Sequence, residues 1–182
     1  MSEVSAADVR RIVSLVMKRD DFKGLYNKPT ETDFFATIYS VSVANLNEPL
    51  PVADLVVGLA QAAESAGWGL WLDHAEGALV QPRCRSLIER QIGRPEHYYD
   101  SPEQHDFHWQ PNGDLASGLE AFDQWLQDNE NGRFRLIEID TGSDFFLSVL
   151  SPAEDNQSLI DHLHHCGLDA QLQQGDTTPK SH

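Results

Sequence analysis

Behind Ser5 and Asp8, apolar residues return at Val9, Ile12, Val13 and Val16, the three-and-four spacing of a single helical stripe, with Ser5 placed to cap the first turn. A helix is expected over Ala6–Arg19. The stretch from Asp33 to Leu46 holds Phe34, Phe35, Ile38, Tyr39, Val41 and Val43. Its β-branched and aromatic content favours a strand, while its first four apolar positions also fit a helix, so both readings stay open. Pro49 and Pro51 punctuate the chain, and Val52–Ser65 reads as a helix ended by Gly67. Trp68–Asp73 then alternates, with Trp68, Leu70 and Leu72 on one face and Trp71 on the other, as a short strand covered on both sides would. A further helix is expected over Arg83–Ile92, closed by Gly93 and Pro95.

The period then lapses. From Arg94 to Gly113, Pro95, Pro102, Pro111 and Gly113 are mixed with Tyr98, Tyr99, Phe107 and Trp109, which predicts a long loop whose aromatics argue against disorder. Leu115–Asn129 is amphipathic through Leu115, Leu119, Phe122, Trp125 and Leu126. Phe134–Asp140 and Phe145–Leu150, joined by Thr141-Gly142-Ser143-Asp144, predict a hairpin at the centre of a sheet. Ser151 and Pro152 are expected to open a helix running to His165, with Gly167 just past its end. Leu168–Leu172 reads as an edge strand, and 174–182 as a disordered polar tail. Together these elements predict an α+β fold in one domain over residues 1–173, with an antiparallel sheet of about three to five strands packed with helices.

Composition narrows the function classes. With 182 residues, 40% of them hydrophobic, the chain can bury a core without disulfides. Cys84 and Cys166 stand apart and outside any ligand spacing, which predicts neither a disulfide framework nor a structural zinc site and points to a reducing cytoplasm. The N-terminus lacks a secretory pattern, and the most apolar stretch, Val52–Ala63, is interrupted by Asp54, Gly58 and Gln61, so no membrane span is expected. Thirteen Lys and Arg against 29 Asp and Glu give a net charge of −16, a field that repels nucleic acid and anionic lipid and favours a basic protein partner. Between Gln91 and Glu130 nine acids face one base, Arg94, so this segment carries half of the net charge.

The motifs that suggest chemistry each have a plainer reading. Asp140-Thr141-Gly142-Ser143 has the letters of an aspartic protease loop, but the β chain such an enzyme needs after it is replaced by a predicted helix, leaving a hairpin turn in which Gly142 supplies a positive φ. His162 and His165 share a helical face with Asp161, a chelating spacing, yet metal sites need three or four convergent ligands, and no metal or other cofactor is expected. Gly67-Trp68-Gly69 leads from helix to strand, the reverse of a phosphate-cradling loop, and no GxSxG or GxxxxGK is present, so no catalytic residue is assigned. Glu138 and Asp140 share a strand face and read as a solvated or hydrogen-bonded edge. What remains is the loop with Tyr98, Tyr99, Asp100, Glu103, Asp106 and Trp109. Rings among carboxylates suit a basic partner, whereas packing of Phe107 and Trp109 into this protein's own core is equally open.

The runs Gly67-Trp68-Gly69-Leu70-Trp71-Leu72-Asp73 and Leu136-Ile137-Glu138-Ile139-Asp140-Thr141-Gly142-Ser143-Asp144-Phe145-Phe146-Leu147 resemble those of small uncharacterised bacterial domain families, some similar to immunity proteins of polymorphic toxin systems. The resemblance covers about a third of the chain, rests on strand and hairpin pattern, and transfers no functional residue. Acidity, small size and the missing catalytic motifs predict a non-enzymatic protein-binding module, and the resemblance suggests an immunity or inhibitor protein that neutralises a basic toxin. The alternative is a small metal-dependent or carboxylate-using enzyme.

Overall fold

The alternation that predicts the hairpin forms it. In the computed structural model, which describes residues 2–17, 30–40, 42, 44–66, 69–88, 106–110, 114–129 and 133–173, β4 (Phe134–Asp140) pairs antiparallel with β5 (Phe145–Pro152). Gly142, at φ 69°, takes the left-handed conformation that the turn demands, and its N–H donates to Asp140 Oδ1. β3 (Gly69–Asp73) adds to the outer edge of β5 and β6 (Ala170–Leu172) to that of β4, so the order is β3-β5-β4-β6 with the hairpin at the centre, as expected. Two short strands, β1 (Glu3–Val4) and β2 (Leu50–Pro51), form a separate antiparallel pair.

Register sorts the side chains onto two faces. Ile137 lies opposite Val149 and Ile139 opposite Leu147, which in turn faces Trp71; these residues share the first face. Leu136 opposite Leu150, Glu138 opposite Ser148, and Leu72 opposite Phe146 define the second. Four helices, α1 (Ala6–Met17), α2 (Glu31–Tyr39), α3 (Val52–Ala66) and α6 (Asn156–His165), contribute the buried residues over the first face. The second face is covered by α4 (Val80–Leu87), α5 (Leu115–Asn129) and Phe107. The fold is therefore α+β, with an antiparallel sheet between two apolar cores. Fully buried anchors such as Phe34 and Ile38 below, and Leu119 and Phe122 above, each contribute about 1.5–3 kcal/mol relative to exposure. No helix among the described residues is long and apolar enough to cross a membrane.

The ambiguous stretch from Asp33 is helical as far as Tyr39, because Thr30 starts it, and Val41 and Val43 lie outside the described residues. The Thr30 hydroxyl accepts from Asp33 N–H while the Asp33 carboxylate reaches back to Thr30 N–H, a complete capping box, and Phe34, Phe35, Ile38 and Tyr39 then fall on one buried face. Two boundaries move. The helix expected from Arg83 begins at Val80, because Pro82 sits in the first turn, where no N–H is required of it. The helix expected from Ser151 begins only at Asn156: β5 continues through Pro152, opposite Phe134, and a 3-10 turn over Ala153–Asp155 intervenes. Pro152 is tolerated there because β3 reaches only as far as Val149, so its missing N–H costs no bond to that strand.

Candidate functional site

On the second face a buried charge fixes α5 against β4. Asp123, 2% exposed, accepts hydrogen bonds from Arg135 Nε and Nη2 and, through Oδ1, from the backbone N–H of Leu136 at 2.9 Å. Both carboxylate oxygens are used, which is the condition under which a buried carboxylate is tolerated. One turn earlier on α5 stands Glu120, and this lock holds it beside β4.

There Glu120 joins Glu138 and Asp140 of β4 and Asp169, whose carbonyl accepts from Asp140 N–H at 2.8 Å. Burial pushes the Glu138 carboxyl above the usual glutamate range, a hydrogen bond with Gln171 opposes that rise, and the neighbouring charges of Asp140, Glu120 and Asp169 add to it. Ser148 sits directly across the strands from Glu138 on the same face, 0% exposed, and its Oγ has no hydrogen-bond partner. A buried hydroxyl without a partner is uncommon, since the desolvation it suffers is not offset. Among the described residues none of the four carboxylates forms an ion pair. The described residues thus concentrate negative charge around a half-buried acid and offer it no cation.

The residues singled out from sequence fare differently. Tyr98, Tyr99, Asp100 and Glu103 lie outside the described residues. Asp106 is ion-paired with Arg85 at 3.0 Å. Trp109 packs into the second core, so tightly against α5 that a Cβ on Gly118 would sit 2.9 Å from its Nε1; its ring is an internal anchor here, and its backbone N–H donates to Gln81 Oε1. Of the predicted acidic segment, Asp106, Asp123 and Asp128 are engaged by neighbouring side chains and Asp114 caps α5 through Ser117. Among the described residues of that segment, Glu120 is the member left to join the carboxylates on β4. Glu138 and Asp140 were legible as a same-face pair, whereas Glu120 and Asp169 join them only through tertiary packing.

A second cluster lies over the first face, where α1 packs on α6. Donor atoms of Asp8, His162 and Cys166 all fall within 4.8 Å of one another. Asp161, which the helical spacing places near His165, instead accepts from Gln157 at 2.7 Å. A cleft of about 230 Å³ between α1 and α2 is lined by Arg10, Val13, Glu31, Thr32 and Phe35.

No protein-family model matches the chain, and no curated protein or solved structure is significantly similar to it. The fold and the two clusters therefore define the class, an acidic α+β protein with a carboxylate-rich sheet face, and carry the functional argument alone.

Proposed function

We propose that this protein is a non-enzymatic binding module that takes up a basic segment of a partner protein at the carboxylates around Glu138, the mode of action of an immunity or inhibitor protein that neutralises a basic toxin in the cytoplasm. The observation that carries the reading is a half-buried acid crowded by Asp140, Glu120 and Asp169 with no cation among the described residues. An arginine or lysine from a partner would supply the missing charge, relieve the mutual repulsion and lower the proton affinity of Glu138. Arginine suits best, because its planar fork can meet two carboxylates at once. The net charge of −16 would draw such a partner in from a distance and speed encounter. The aromatic loop residues Tyr98, Tyr99, Asp100 and Glu103 remain candidate contacts in the same proposal.

The test is capture of the partner from the native lysate, followed by binding measurements on the purified pair. Association should slow as ionic strength rises, since exposed charges are screened beyond about 8 Å at physiological salt. Replacing Glu138 by Gln together with Asp140 by Asn should weaken affinity by about 2 kcal/mol, near 30-fold. A partner that is acidic, or an affinity indifferent to both salt and the double replacement, would remove the reading.

A further inference from the structure

The cluster over the first sheet face has a composition that the carboxylate site lacks. α6 presents His162, His165 and Cys166 within one turn, and its packing against α1 brings Asp8 to them from the other end of the chain. Asp8 is held in place from behind: its Oδ2 accepts from Ser5 Oγ at 2.8 Å, and the same hydroxyl receives Asp8 N–H. That leaves Oδ1 turned to the histidines, 3.6 Å from His162 Nε2 and 3.8 Å from His165 Nε2. Cys166 is 6% exposed, and the mutual donor spacing of Asp8, His162 and Cys166 stays within 4.8 Å.

These distances have a specific meaning. Around a tetrahedral zinc ion with bonds of about 2.0–2.3 Å, neighbouring donor atoms stand about 3.3–3.8 Å apart. The two oxygen-to-nitrogen separations at Asp8 already approach that edge, and the Cys166 sulfur needs only a side-chain adjustment to reach it. Asp8, His162 and Cys166 already group a carboxylate, an imidazole and a thiol; a turn of the exposed His165 ring, 3.8 Å from Asp8, would add the second imidazole and close the four-ligand set of a structural zinc site, and mixed nitrogen and sulfur donors select zinc over magnesium or calcium. Ser5 provides the outer contact that orients a ligating carboxylate. We infer that Asp8, His162, His165 and Cys166 bind one Zn²⁺ that clasps α1 to α6. On binding, His162 would give up the Nε2–H that it donates to the Asp8 carbonyl at 3.0 Å, its ring proton moving to Nδ1 so that the Nε2 lone pair meets the ion, and the Cys166 thiol would release its proton to solvent. The sequence expectation of no metal counted the ligands of α6 alone. The site is independent of the carboxylates around Glu138, which lie across the sheet.

Cobalt reports on such a site directly. Untagged protein is stripped with a chelator, and Co²⁺ is titrated while the spectrum is recorded. One equivalent should give intense visible d–d bands of four-coordinate cobalt together with thiolate charge-transfer absorption in the near ultraviolet, and Zn²⁺ should displace it. Cys166→Ser should abolish the charge-transfer band. His165→Ala, at a position 69% exposed and so unable to compromise folding, should keep that band but weaken affinity at least 10-fold, and Ser5→Ala should weaken it about 10-fold. Absence of a thiolate band at one equivalent, or a band that survives Cys166→Ser, would overturn the inference. Binding unaffected by His165→Ala would overturn the four-ligand set.

Discussion

Removing Asp123 should be among the most damaging single changes in this protein, and the structure sets its size. Asp123→Ala takes the acceptor from three donors: the Arg135 guanidinium, whose side chain is 22% exposed, the Leu136 N–H, buried at the α5–β4 contact, and Gln127 Nε2, which keeps the Asp123 carbonyl at 3.5 Å. Breaking a buried charge pair from one side costs about 3–5 kcal/mol. Arg135 keeps some water and the Gln173 carbonyl at 3.3 Å, which argues for the lower part of that range, while the orphaned Leu136 N–H adds about 1 kcal/mol or more. The expected loss is about 4 kcal/mol. With a urea dependence near 2 kcal/mol per molar, the unfolding midpoint should fall by about 2 M. Asp123→Asn keeps an oxygen for Leu136 but loses the charge, so about half that loss is expected. The pair Asp123→Ala with Arg135→Met should regain at least a third of the loss, because the uncompensated cation is gone. Urea unfolding followed by tryptophan fluorescence measures all three. A loss below about 1 kcal/mol for Asp123→Ala, or no recovery in the double variant, would refute the view that this carboxylate holds α5 in place.

Two further outcomes follow from the same face. Glu138 holds its proton to higher pH in the folded protein than in the unfolded chain, so the folded state binds more protons through that window and stability falls as pH rises through it. Glu138→Gln should flatten this slope and raise stability at neutral pH, whereas parallel pH profiles of variant and parent would contradict the cause assigned to the shift. Ser148→Ala removes a buried hydroxyl that has no partner and should stabilise the protein by about 1 kcal/mol; an equal destabilisation would mean that the hydroxyl donates to a neighbour such as Glu138.

Much of the architecture was legible because its signals are local. The hairpin of β4 and β5 announces itself by alternation and Gly142, the edge position of β6 by its short length, and α5 by its stripe from Leu115 to Leu126. α2 was legible too, but only from Thr30, whose pairing with Asp33 lies one residue upstream of the apolar run that invited a strand. Pro152 misled because proline fits the first turn of a helix and the end of a strand ladder equally well. β1 and β2 pair two residues each, too few to carry a period. For the sites the same division holds. Glu138 with Asp140, and His162 with His165, stand at spacings that any reader of the chain can see. Their completing partners come from elements that meet only in the fold: Asp8 lies 154 residues from His162.

The four-stranded sheet also acts as a partition. Carboxylates hang from one face and the histidine–cysteine cluster faces the helices on the other, so a substitution on one side reaches the far side only through a backbone held by neighbouring strands. Changes so separated combine additively in their effect on stability. Substitutions among the acidic residues can accordingly accumulate without disturbing the packing of α1 on α6.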